Sequence, residues 1–178
     1  MFRVIPLRSL KHSPGIQTHD IFPFDRIRID CVERVIHHDY TISPESCQGI
    51  LRPWSMHRGQ SDHLMVLQGE RLVELYCSSK NTLVRFRLTP NEIFKEETLL
   101  YEGAYILSWP PEIFHRIVTV RGGSISVNFV TYISDVNFEH NFGVYDVNTT
   151  NGSFMLIRSS VSNNPGKLVE KCDEPISE

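Results

Sequence analysis

No Cys-x-x-Cys pair occurs among the four cysteines, Cys31, Cys47, Cys77 and Cys172, so neither a zinc ribbon nor a thioredoxin-type site is indicated. Basic excess is also missing. Lys and Arg total 18 against 21 Asp and Glu, the net charge is -3, and the pI is near 6.2. A nucleic-acid binder would want a basic patch to displace counterions, and no basic run stands out here. No apolar run approaches the roughly 20 residues of a membrane helix. The opening MFRVIPLRSLKHSP has neither a secretory apolar core nor a small-residue cleavage site. These absences predict a reduced, cytoplasmic protein without nucleic-acid or membrane partners. The sequons at Asn148 and Asn151 are then incidental.

Helical periodicity is nearly absent too, and period-two alternation takes its place. In RIRIDC, Ile27, Ile29 and Cys31 alternate with Arg26, Arg28 and Asp30. In LVRFRL, Val84, Phe86 and Leu88 alternate with Arg85 and Arg87. In SISVNFV, Ile125, Val127 and Phe129 alternate with Ser124, Ser126 and Asn128. Further strands are predicted at 2–6, 63–67, 72–77, 105–109, 115–120 and 153–158. Gln68-Gly69-Glu70 and Gly122-Gly123 read as hairpin turns. Pro110-Pro111 ends a strand, because proline donates no ladder hydrogen bond.

With 178 residues the chain has one domain's length and buries enough surface to fold without disulfides. Many short strands separated by turns predict an all-β sandwich or barrel over residues 1–158. Residues 159–178, with Asn163-Asn164-Pro165-Gly166, read as a polar C-terminal tail.

Gly49, then five residues, Ser55-Met56-His57, four residues, Asp62, six residues and Gly69 keep the spacing of the first cupin motif. Ser55 stands where that motif has its first His, and Asp62 stands where it has Glu. Gly103, followed by Pro110-Pro111-Glu112 and His115, resembles the second motif. There Glu112 replaces a Gly and Thr119 replaces an Asn. The pair of motifs implies a double-stranded β-helix, the cupin jelly-roll barrel. A narrower resemblance is to the dTDP-4-dehydrorhamnose 3,5-epimerase (RmlC-like) branch. It rests on Gly49-Ile50-Leu51-Arg52, Leu67-Gln68-Gly69-Glu70 and Trp109-Pro110-Pro111. Arg52 matches an Arg of that branch, Pro53 replaces a Gly, and Ser55 occupies the position of the catalytic base. Serine at its ordinary pKa takes no proton from a sugar carbon without a base of its own. The resemblance therefore implies a relative that binds a sugar or sugar-nucleotide-like small molecule but does not act as that epimerase. His57, two residues on, faces the same side of a strand as Ser55.

On a cupin barrel, His57, Asp62 and His115 converge as two imidazoles and one carboxylate. Such a set suits one divalent metal ion, Fe, Mn, Ni or Zn, and would make the protein a dioxygenase or isomerase. The same residues also read as a metal-free, hydrogen-bonded pocket lining, and the residues leave both open. If Asp62 points inward, His63 points outward. Arg52, His57 and His115 are the candidate catalytic residues. Arg52, Ser55, Gln60, Ser126 and Asn128 are the candidate substrate contacts, with Arg52 read either as a phosphate grip or as a structural ion pair. Trp54 and Trp109 read as packing or as a stacking face for a ring. His12, His19, His37, His38 and His140 follow no ligand spacing and read as surface. A non-catalytic barrel for ligand sensing or assembly stays open as a third reading. The resemblance also implies a homodimer, with 2–5 and 27–31 as candidate edge strands.

Overall fold

The computed structural model describes residues 1–21 and 28–159. Its strands are β1 (Arg3–Pro6), β2 (Arg8–Ser13), β3 (Ile16–Asp20), β4 (Cys31–His37), β5 (Ile42–Ser43), β6 (Trp54–His57) and β7 (Gln60–Cys77). They continue with β8 (Thr82–Leu88), β9 (Glu92–Lys95), β10 (Thr98–Glu102), β11 (Tyr105–Trp109), β12 (Phe114–Tyr132), β13 (Phe142–Val147) and β14 (Phe154–Ser159). One short α-helix, α1 (Phe138–Asn141), precedes β13, and a 3-10 turn (Ser78–Lys80) joins β7 to β8 among the described residues.

The spine is the antiparallel pair β7–β12, in register from Phe114 opposite Tyr76 to Tyr132 opposite Gln60. Its two halves carry different neighbours. The half of β7 near Asp62 pairs with β11, which pairs with β1, while the matching half of β12 pairs with β4. The other half of β7 pairs with β8, which leads to β9 and β10, while that half of β12 meets β5 and β6, and β6 leads to β13 and β14. The spine therefore contributes to two sheet layers, an all-β jelly roll. Alternate residues of the layers fill the core: Leu64 and Val66 from one half of β7, Val73 and Leu75 from the other, with Val84, Phe86, Leu88 and Leu107. Each such side chain contributes about 1.5–3 kcal/mol by leaving water. The β2–β3 hairpin forms a separate two-stranded sheet.

Three sequence expectations need correction. Gln68-Gly69-Glu70 and Gly122-Gly123 are not hairpin turns. Each lies inside one continuous strand, where the register shifts between Thr119 and Ser124. A glycine inside an alternating strand marks a bulge or a close backbone approach as readily as a turn, and here it marks the corner where the spine passes from one layer to the other. The strand expected at 26–31 begins only at Cys31; residues 28–30 are not in a strand, and 26–27 lie outside the described residues. The alternation continues beyond the expected segment, through Glu33, Val35 and His37. Of the two edge candidates, β1 pairs with β11 of its own chain. The tail from residue 160 onward lies outside the described residues, and Ser159 closes β14. Among the described residues no helix is long and apolar enough to cross a membrane.

Candidate functional site

Strand parity brings the three key side chains together. Ser55 and His57 alternate with the buried Trp54 and Met56 on β6. His115 on β12 stands in register with Ser55, and Asp62 on β7 stands opposite Trp109. The loop before β12 is tied to the site strand, because Glu112 N–H donates to the His57 carbonyl at 2.8 Å. Donor atoms of His57, Asp62 and His115 all lie within 4.8 Å of one another. They line a cavity of about 120 Å³ together with Glu33, His37, Arg71, Trp109 and Asn128. A second cavity of about 210 Å³, lined by Ser55, Glu45 and Arg158 among others, shares His57 and Ser43 with the first.

Asp62 is 2% exposed and asymmetrically satisfied. Its Oδ1 accepts from Gln60 Nε2 at 2.8 Å and from Asn128 Nδ2 at 2.7 Å. Its Oδ2 is buried, has no hydrogen-bond partner, and lies 3.9 Å from His57 Nε2. That separation is too long for a hydrogen bond, so Oδ2 is open to a third group, and on the His57 ring Nδ1 is buried without a partner. The His57 and His115 rings sit 4.8 Å apart. His115 Nδ1 is 3.2 Å from the Ile113 carbonyl, which makes Nδ1 the donor and leaves Nε2 as an acceptor. Burial pushes the His57 pKa down to about 4, against the pull of Asp62, and it lowers His115 as well. Both imidazoles are neutral at pH 7.

This donor set fits a divalent metal in kind. Asp62 Oδ2 and His57 Nδ1 are buried without hydrogen-bond partners, and His115 donates one ring nitrogen to a carbonyl, as metal-bound histidines commonly do, which leaves its other nitrogen as an acceptor. Closing on an ion requires the donors to contract, since bonds of about 2.1 Å bring ligand atoms to within roughly 3–3.5 Å of one another.

The remaining expected residues are placed as follows. Gln60 is buried and braces Asp62, while its Oε1 accepts from Asn141 Nδ2 at 3.2 Å. Asn128 lines the cavity and also donates to Glu33 Oε2 at 2.9 Å. Ser126 is fully buried with an unpartnered hydroxyl. Arg52 lies in a different groove, paired to Glu74 Oε2 at 3.0 Å in a cluster with Arg85 and Arg116. Trp54 packs under the Arg116 guanidinium, whereas Trp109 lines the cavity 5.5 Å from the His115 ring. His63 is on the opposite face from Asp62, and is buried between Ser108 Oγ at 2.8 Å and Thr131 Oγ1 at 3.1 Å.

His37 corrects the expectation of a surface histidine. It is 8% exposed, lines the cavity, and bonds Thr119 Oγ1 at 2.8 Å through Nδ1. Glu33 and Arg71 were missed as well. The signal existed: Glu33, Val35 and His37 alternate along β4, and Arg71 shares parity with Val73 and Leu75 on β7.

No protein-family model and no curated protein matches the chain. Solved structures do match in fold. A dTDP-sugar isomerase from Desulfovibrio desulfuricans G20 is 12% identical, with 72% of this chain and 75% of that chain covered and a TM-score of 0.52. A sugar 3,4-ketoisomerase from Thermoanaerobacterium thermosaccharolyticum, solved in complex with TDP, is 14% identical over 75% and 82% of the two chains, with a TM-score of 0.51. A dTDP-4-dehydrorhamnose 3,5-epimerase from Sulfolobus tokodaii is 16% identical over 76% and 72%, with a TM-score of 0.52. The chain has the RmlC-like cupin fold of these proteins.

Proposed function

We propose that the barrel binds a sugar or sugar-nucleotide-like small molecule and that His57, backed by Asp62, exchanges a proton with it. The observation that carries this reading is the open Asp62 Oδ2, buried 3.9 Å from His57 Nε2 at the junction of two cavities. A neutral imidazole accepts a proton, and the adjacent carboxylate stabilises the imidazolium that results. The inner cavity is smaller than the roughly 300–1,000 Å³ of a typical ligand site. It admits the reacting end of a ligand, with the larger part in the outer cavity beside Ser55. The similar structures include a sugar 3,4-ketoisomerase in complex with TDP and a dTDP-4-dehydrorhamnose 3,5-epimerase, which favours a sugar nucleotide. Ser55 at the position of the base argues against the 3,5-epimerase reaction itself. The test is calorimetric titration of TDP-sugars, with proton exchange into a keto sugar followed by NMR in deuterated water. His57→Ala should abolish exchange. Wild-type exchange in that variant would remove His57 from the reaction.

A second reading is a divalent-metal cupin using His57, Asp62 and His115, favoured by the carbonyl-anchored Nδ1 of His115. Elemental analysis after offering Fe(II), Mn, Ni and Zn decides it: about one ion per chain, lost in His57→Ala, supports it. The protein is further proposed to be a soluble homodimer. The candidate edge is β1, whose described partner is β11 alone. A monomer mass at micromolar concentration would contradict this.

A further inference from the structure

Arg71 is 1% exposed, yet no carboxylate among the described residues lies within salt-bridge distance of its guanidinium. Of the five N–H donors it carries, two are engaged, both by neutral acceptors. Nε donates to Ser124 Oγ at 2.8 Å and Nη2 to the Val35 carbonyl at 3.2 Å. A buried charge without a counter-ion is costly, and proteins usually pair it. Its charge is felt nearby. It helps burial hold His37 down to about 4, so the neighbouring ring is no second cation at neutral pH. Arg71 lines the same cavity as His57 and Asp62.

We propose that Arg71 is an anion-binding pole of the cavity and that the ligand carries a carboxylate, so that within the sugar reading above, on which this rests, the substrate class is a sugar acid. The chemistry selects carboxylate over phosphate. Asp62 and Glu33 line the same small space, so a dianion meets more repulsion there than a monoanion does. A planar carboxylate also matches the guanidinium fork. The apolar wall of Leu64 and Ile117 strengthens that contact by excluding water.

The test compares glucuronate with glucose and galacturonate with galactose at pH 7.5, by calorimetry, with acetate, phosphate and TDP-glucose as further probes. Wild-type protein should bind the acids at least about tenfold more tightly than the neutral sugars, as a charge-assisted hydrogen bond implies. The preference should vanish in Arg71→Met and survive in part in Arg71→Lys. Should Arg71→Met not fold, the wild-type preference and the Arg71→Lys variant decide. Acetate competing with glucuronate supports the carboxylate pole. Equal binding of acids and neutral sugars, tighter binding of phosphate than of the acids, or an undiminished preference in Arg71→Met overturns the proposal. Binding of TDP-glucose without any acid preference overturns this proposal and leaves the sugar-nucleotide reading standing. Acid binding without any sugar-nucleotide binding does the reverse.

Discussion

Gly69 and Gly123 meet backbone to backbone at the corner of the spine: a Cβ built on Gly69 would lie 2.1 Å from the Gly123 carbonyl oxygen. Gly69 also has φ +77°, in the left-handed region. Gly69→Ala combines a left-handed cost of about 1–2 kcal/mol with overpacking of about 1–3 kcal/mol against backbone that has nowhere to move. A loss of about 3 kcal/mol is expected from urea unfolding. A midpoint unchanged from wild type would refute the tight corner.

Glu112 poses the opposite case. It stands where the second cupin motif has Gly, and its backbone keeps the left-handed conformation, with φ +64°. Glycine there removes the steric cost but adds flexibility to the unfolded chain. Glu112→Gly is therefore expected to stabilise by up to about 1 kcal/mol, a rise of about 2–4 °C in Tm. The hydrogen bond from the residue 112 N–H to the His57 carbonyl stays in place. A clear fall in Tm would mean that the Glu112 side chain does more than occupy a glycine position.

Acid should destabilise the protein well above the carboxylate range. His37 and His57 are each held down to about 4, mainly by burial, against 6.5 for a free imidazole. Between those values the unfolded chain binds protons that the native state refuses, so stability falls as pH drops from about 6.5 toward 4. Lowered His63 and His115 act in the same sense, while Glu33, raised by burial, acts against them. By pH 5.0 His57 alone accounts for a loss of roughly 2 kcal/mol. Urea midpoints at pH 7.5, 6.0 and 5.0 should decline steadily, less steeply in His57→Gln. A flat profile would mean that these rings are charged or solvated in the native state.

How much was legible follows from what alternation records. Period two identifies β8 and part of β12, the apolar run of Tyr105–Trp109 identifies β11, and strand parity puts Ser55 with His57 on one face. Motif spacing then joins His57, Asp62 and His115, which are close in space but distant in pairing. Alternation does not separate a turn from a corner, because Gly69 serves both. It also says nothing of depth. His37 and Arg71 lie on inward faces, but a polar residue at an inward position reads as solvated until the opposite layer is known to cover it. Arg52 matched a motif and still points to another groove, since its neighbour Glu74 offers the nearer partner.

Asp62 allows structure and chemistry to be separated. Oδ1 holds Gln60 and Asn128, while Oδ2 is open toward His57. Asp62→Asn keeps an oxygen for the two donors, so it should fold with a loss of no more than about 1 kcal/mol. It removes the charge that favours the His57 imidazolium, so the His57 pKa should fall further, and a metal would lose its one anionic ligand. Asp62→Leu strands both donors in the core at about 1–3 kcal/mol each and should cost several times more. NMR titration of His57 and urea unfolding of both variants supply the readouts. Equal destabilisation by Asn and Leu would mean that Asp62 contributes its charge alone. An unmoved His57 titration in Asp62→Asn would mean that the two groups do not act as a pair, and proton exchange would then have to be sought at His115.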